Sequence, residues 1–228
     1  MTQSPDAVMV FAAGFGTRMG ALTKDRPKPL IEVSGRPLID HALELVDAIN
    51  PQRIVANLHY LPEQLEAHLA PKGVTLTYET DDILETGGGL RAALPMLGPE
   101  PVFTLNPDAI WSGPNPLTLL RKAWDPDRMD ALLMCVPVAQ TLGYTGTGDF
   151  TADADGRISR GPGLIYGGAQ ILKTEGLMDI PQTSFSLNLL WDRMHSDNRL
   201  FSLTYPGRWC DVGHPEGIAL AEGLIADV

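Results

Sequence analysis

Short apolar runs alternating with helical periodicity organise this chain. Ala7–Ala12 (AVMVFA) is unbroken apolar sequence running into Gly14, the pattern of a central strand buried on both faces. Pro37–Ile49 carries apolar residues at helical spacing, with Pro at its start and Asn50-Pro51 as a stop. The same reading predicts strands at Arg53–Asn57, Val74–Tyr78, Val102–Leu105 and Asp130–Val138. It predicts helices at Pro62–Leu69, Gly88–Leu97, Leu117–Ala123 and Ser184–His195, and a terminal helix around Glu216–Ala226 led into by Trp209–Val212. From Gln140 to Ile165 the pattern changes to Gly- and Thr-rich sequence, predicting short hairpin strands with a tight turn at Asp155-Gly156.

Strands alternating with helices imply βαβ units. The expected fold class is α/β: a Rossmann-like three-layer α/β/α sandwich on a mainly parallel mixed sheet, with a small β subregion. A single domain over 1–228 is expected, with a first part at about 7–138, a second at about 139–215 and a helix closing the chain. No repeat, low-complexity segment or long linker interrupts it.

Composition narrows the function. With 44% hydrophobic residues the chain has an ordinary globular composition. Its net charge is −11, with only 17 Lys+Arg, which argues against a nucleic-acid partner. Phosphate ligands therefore need local positive charge or a metal. Cys135 and Cys210 sit in apolar settings and read as buried free thiols. The start lacks a basic segment before its apolar run, so no secretory signal is expected, and no apolar run approaches a membrane span. A cytoplasmic protein, monomeric or a small homo-oligomer, is the expectation.

The first strand runs into Ala12-Ala13-Gly14-Phe15-Gly16-Thr17-Arg18-Met19. Gly14 and Gly16 admit backbone conformations in which N–H groups converge on anionic oxygens. Thr17 adds a hydroxyl and Arg18 a fixed, bidentate cation. Further on, the two prolines of Arg26-Pro27-Lys28-Pro29-Leu30 stiffen the path of Lys28. Together these form a triphosphate cradle. It is no Walker A loop, since no Gly-Lys-Ser/Thr closes it, and it lacks the third Gly of a dinucleotide fingerprint. Alone, AGFGTR is also compatible with an incidental Gly-rich turn; Lys28 at this spacing is what argues otherwise.

The string AAGFGTRMGALTKDRPKPL resembles the signature of the nucleotide-sugar pyrophosphorylases, the sugar-phosphate nucleotidyltransferases. The resemblance runs from about Val8 to Ala226. It implies a GT-A-like nucleotidyltransferase fold, catalytic roles for Arg18 and Lys28, and phosphate contacts from Gly14, Gly16 and Thr17. It extends nucleotide binding to Ala12, Ala13, Glu85, Thr86, Gly87, Gly88 and Asn106. Ala21 stands where the family often has Pro, at a cost in rigidity only.

Leu84-Glu85-Thr86-Gly87-Gly88-Gly89 opens a predicted helix. Its glycines permit close approach of a flat ring, and their N–H groups can read a base edge; the plainer alternative is a helix start with Thr86 as N-cap. The ETGGG string resembles the short N-acetylmuramate 1-phosphate uridylyltransferase subgroup, which implies a place in peptidoglycan recycling. Asp108 ends a strand, where open α/β sheets bind ligands, and is either a turn-former or a Mg²⁺ ligand. The family has Asn-Gly-Asp there, so Pro107 is a departure. Asp211 lies in a segment matching W-x-D-V-G-T-P-E except for His214, and the resemblance implies that Asp108 and Asp211 share one Mg²⁺. A capped start to the last helix is the plainer reading of that segment, and His214 reads as a neighbour or sugar contact. Relatives place sugar contacts at Asp149, Gly168 and Asn188; Asp149 alone is equally compatible with a solvated turn acid, and Trp191 with core packing. His41, His59, His68 and His195 carry no expected role.

The activity so implied joins a nucleoside triphosphate, UTP favoured, to a sugar 1-phosphate and releases pyrophosphate. Mannose 1-phosphate with GTP and a CTP-dependent choline-phosphate reaction are the rivals. A catalytically silent nucleotide-sugar sensor is the alternative of another class: Pro107 leaves it open, and the retained Arg18, Lys28, Asp108 and Asp211 argue against it.

Overall fold

The computed structural model describes residues 5–99 and 101–227. The expected span 1–228, and the reading of the first residues as no secretory signal, reach beyond these limits. In chain order the elements are β1 (Ala7–Phe11), β2 (Glu32–Val33), β3 (Arg36–Pro37), α1 (Leu38–Asp47), β4 (Arg53–Leu58), α2 (Pro62–Leu69), β5 (Thr75–Tyr78), α3 (Glu85–Leu97), β6 (Val102–Leu105) and β7 (Ala109–Ser112). There follow α4 (Pro116–Ala123), β8 (Ala131–Pro137), β9 (Thr141–Leu142), β10 (Phe150–Ala152), β11 (Ile158–Arg160), β12 (Leu164–Leu172), α5 (Asn188–Ser196), β13 (Leu200–Thr204), β14 (Arg208–Asp211) and α6 (Glu216–Ala226).

Parallel pairing of β1 with β4 and β6, and of β4 with β5, builds the first half of the central sheet. β12 runs antiparallel between β6 and β8, β13 pairs parallel with β8, and the β10–β11 hairpin joins the start of β12. The sheet is therefore mixed and covered on both faces. Along β1, Val8 and Val10 enter one apolar cluster while Ala7 and Met9 enter another, so period-2 alternation divides an all-apolar strand between two cores. Residues of α1, α2 and α4 complete the first core; residues of α3 and α5 complete the second. A third core under α6 includes Met19, Ile110, Cys210 and Val212.

A separate small sheet matters most for the site. β14 pairs antiparallel with β7 and parallel with β9, and its register sets Asp211 opposite Ala109. Several expectations needed correction. The helix read at Ser184–His195 starts only at Asn188, and residues 184–187 run under α3. β7, β12 and β13 had not been expected. In β12 the run YGGAQIL breaks alternation with two glycines and the buried Gln170, and the ladder shifts register between Tyr166 and Gln170. Both cysteines are buried free thiols, as expected.

Candidate active site

The Gly loop folds against the lysine that follows it. Gly16 has φ +64°, a left-handed conformation, and a Cβ placed on it would meet Lys28 Cβ at 2.8 Å and Thr23 Cγ2 at 3.0 Å. The alkyl stem of Lys28 thus lies on the loop backbone, and Lys28 itself begins a short turn, Lys28–Leu30, after Pro27. Lys28 is buried except for its tip, and its Nζ donates to Asp108 Oδ2 at 2.7 Å. Arg18 is more exposed, and its Nη1 lies 3.9 Å from Asp211 Oδ2.

The β7–β14 ladder brings the two carboxylates together. Asp108 immediately precedes β7, Asp211 ends β14, and Val212 N donates to the Asp108 carbonyl at 2.9 Å. Asp211 is largely buried. Burial, and then the Asp108 charge, raises its pKa above the usual carboxylate value against the opposing pull of Lys28, Arg18 and His214. Pro107 does not turn Asp108 away, since the carboxylate reaches Lys28 and both residues line the same cavity. His214 is an exposed neighbour of Asp211.

That cavity holds about 290 Å³. Ala12, Ala13, Gly14, Gly16, Thr17, Arg18 and Lys28 line it together with Glu85, Thr86, Asn106 and Asp108. Asp211 adjoins it through Gly213, where a Cβ would meet Asp211 Oδ2 at 2.7 Å. Two expected contacts are not made as expected. The N–H groups of Gly87 and Gly88 both donate to the Phe185 carbonyl, at 2.8 and 3.1 Å, so they are spent within the protein. A Cβ on Gly87 would strike the Phe185 ring and one on Gly88 the Thr183 carbonyl, so these glycines permit close packing of residues 183–185 on α3. Thr86 is no N-cap; it lies inside α3, whose N-cap is Leu84, and its Oγ1 accepts from Leu187 N.

A second cavity of about 320 Å³ shares Phe11, Thr86 and Asn106 with the first. Asp149, Asn188 and Trp191 line it. Asp149 Oδ2 accepts from Tyr166 N at 2.9 Å, which fixes the carboxylate on the β12 backbone. Trp191 is buried, as expected, and its indole N–H donates to Gln170, which in turn donates to Thr104. Gly168 lies behind the wall: at φ +90° a Cβ there would meet Asn106 Cβ at 2.9 Å, so it seats Asn106 and makes no contact of its own with the cavity.

Residues 8–144 match the MobA-like NTP transferase domain. The chain belongs to this family. Over the full length of both proteins, the transferase is 40% identical to an N-acetylmuramate alpha-1-phosphate uridylyltransferase of Caulobacter vibrioides. It is 31% identical to one of Neisseria meningitidis, over 90% of this chain and 92% of the relative. HddC of Yersinia pseudotuberculosis, solved in complex with GMP-PN, superposes with a TM-score of 0.78 over 96% of this chain and 99% of its own, at 23% identity, which shows the shared fold.

In this MobA-like transferase, Asp108 and Asp211 suit a hard divalent cation. They are two mutually repelling carboxylates beside a phosphate-sized cradle, and Mg²⁺ takes one or two carboxylates and fills its shell with substrate oxygens and water. Sequence reasoning missed Asn57 and Glu79, which also line the first cavity. Asn57 accepts from Ala12 N at 2.9 Å and donates to Glu79 Oε1 at 2.7 Å, while Glu79 Oε2 accepts from Leu84 N at 2.7 Å. The pair ties the Gly loop to the start of α3, where Glu85 has φ +57°. Both residues lie at the carboxyl ends of parallel strands, the position at which open sheets bind ligands, and that was the available signal.

Proposed function

We propose that this transferase moves a uridylyl group from UTP to N-acetylmuramate α-1-phosphate, giving UDP-N-acetylmuramate and pyrophosphate. One observation carries the reading: Lys28, Asp108, Asp211 and Arg18 meet at the mouth of a Gly-loop cavity that opens onto a second, aromatic-walled cavity. The substrate assignment rests on the 40% and 31% identical relatives.

A sugar-phosphate oxygen attacks the α-phosphorus in line. A new O–P bond forms, the bond from the α-phosphorus to the bridging oxygen breaks, and pyrophosphate leaves with the electron pair. The attacking phosphate is ionised near neutral pH, so no general base is needed, and catalysis is positioning and charge neutralisation. The Gly loop and Thr17 hold the triphosphate. Arg18 spans its outer oxygens, and Lys28 exchanges its Asp108 partner for a phosphate oxygen. Asp108 and Asp211 would hold Mg²⁺, which when bound would withdraw charge from the phosphate oxygens.

The test is pyrophosphate release with Mg²⁺ across the four nucleoside triphosphates, each offered N-acetylmuramate, N-acetylglucosamine, glucose and mannose 1-phosphates. UTP with N-acetylmuramate 1-phosphate is expected to turn over best. Preferred turnover of mannose 1-phosphate with GTP would keep the chemistry and overturn the substrate. Nucleotide-sugar binding without pyrophosphate release from any pair would overturn catalysis.

A further inference from the structure

The second cavity is walled by aromatic rings, neutral polar groups and the Asp149 carboxylate, with one cation among the described residues that line it, Arg160. Arg160 ends β11 directly opposite Phe150 in the β10–β11 ladder, and that register lays its guanidinium on the ring. Its Cζ stands 4.8 Å from the Phe150 centroid and 5.9 Å from that of Trp191. Nη2 donates to Asn188 Oδ1 at 2.8 Å and Asp192 Oδ1 at 3.1 Å. Two stacked rings and two acceptors fix the plane of the guanidinium. Its Nη1 and Nε hydrogens have no acceptor among the described residues; the two groups point to opposite sides of the guanidinium, and the paired hydrogens of Nη1 are the free donors at its end.

The substrates differ in one relevant way. N-acetylmuramate is N-acetylglucosamine bearing a lactyl ether at the 3-oxygen, and the lactyl group ends in a carboxylate that is ionised at neutral pH. A cavity serving N-acetylglucosamine needs no cation beyond the phosphates. The other ionised group in the wall, Asp149, has one oxygen committed to the Tyr166 N–H and repels a carboxylate, so only Arg160 offers it a partner.

We propose that Arg160 is the specificity-determining residue of the acceptor site and that it binds the lactyl carboxylate of N-acetylmuramate 1-phosphate through its Nη1 donors. The inference rests on the N-acetylmuramate reading above and adds to it the expectation that the unmodified amino sugar is the weaker acceptor. Arginine suits this use because its planar fork stays charged and arrives already oriented by the rings beneath it.

The experiment measures kcat/KM for N-acetylmuramate 1-phosphate and for N-acetylglucosamine 1-phosphate, both with UTP, in the wild-type protein and in Arg160→Ala, Arg160→Gln and Arg160→Lys. In the Ala and Gln forms the preference for the muramate substrate is expected to fall about 50-fold, mainly through KM, as removal of a charge-assisted pair predicts. The Lys form keeps the charge without the fork and is expected to recover part of the preference. Calorimetric binding of UDP-N-acetylmuramate and UDP-N-acetylglucosamine repeats the comparison without catalysis and shows whether each variant is folded. An unchanged ratio, with both sugars losing equally, overturns the assignment of Arg160 alone. A wild-type protein that turns over neither sugar, or both equally well, overturns the N-acetylmuramate reading and Arg160 with it.

Discussion

At the scale of single residues, Lys28 and Gly16 act as one unit. The lysine stem occupies the space a Cβ on residue 16 would need, and the loop backbone there is left-handed. Gly16→Ala is therefore strained twice, by its φ and by a 2.8 Å approach to Lys28 Cβ. It is expected to cost about 2 kcal/mol of stability, measured by urea denaturation, and to displace Lys28 enough to lower kcat about 10-fold or more. A variant with wild-type stability and rate would show that the loop relaxes freely. Asp211 behaves in the opposite sense. Burial and Asp108 raise its pKa, so the ionised form is disfavoured in the fold, and folded protein lacking ligand is destabilised as pH rises above the ordinary value of 3.8. Asp211→Asn is expected to raise the Tm of the ligand-free protein near pH 7 by a few °C, the shift that about 1 kcal/mol produces in a chain of this size. The same change should lower kcat by roughly 10²-fold or more through loss of metal anchorage. Thermal scans and pyrophosphate release check both halves, and a loss of Tm together with activity would refute the account.

At the scale of elements, Asp130 ties three strands at one end of the sheet. It precedes β8, accepts from Lys173 Nζ just beyond β12 at 2.9 Å, and accepts from Arg199 Nε just before β13 at 2.8 Å. Burial alone would raise its pKa, but the two cationic donors prevail and hold it below 3.8. A carboxyl depressed by folding stabilises above its unfolded pKa, and that contribution fades as pH falls through the folded value. Asp130→Asn should thus cost about 1–2 kcal/mol near pH 7, and the gap in Tm from wild type should close below about pH 3.8. A gap independent of pH would show that the charge is irrelevant. Elements also differed in how plainly they could be read. β1 and β6 are short, bounded, mostly apolar runs and α2 opens on Pro62, and all three were legible within a residue. β12 was not, because Gly167, Gly168 and Gln170 satisfy the bulge and the buried hydrogen-bond chain beneath the second cavity, and so break alternation. The 184–187 segment resembles helix in sequence, yet its Phe185 carbonyl is held by the first turns of α3, a tertiary contact that no local pattern displays. The motif residues of the first cavity were legible because a phosphate cradle needs particular residue types at particular spacings. Glu79 and Arg160 were not, because each takes its role from partners distant in sequence.

For the whole molecule, two adjoining cavities imply that ligands act on stability jointly. UTP with Mg²⁺ at 100 times its Kd should stabilise the fold by about 2.7 kcal/mol, or roughly 5–10 °C in Tm. Adding EDTA should remove most of that gain and stop pyrophosphate release. Full stabilisation by UTP in EDTA would dissociate Asp108 and Asp211 from metal-dependent binding. Arg160 lines the second cavity and not the first, so its replacement should leave the UTP-induced shift intact while weakening that caused by the sugar nucleotide.

The small sheet of β7, β9 and β14 sets a schedule for synthesis. Asp108 follows Lys28 by 80 residues in the order of synthesis, and its partner carboxylate comes later still, on the strand made just before α6. A nascent chain that has completed β1 to β13 can bury most of its central sheet yet has no second acidic arm at the cradle. Such a chain would gain its chemistry in a single late event, when β14 zips onto β7, and until then would remain a folding intermediate unable to consume nucleotide.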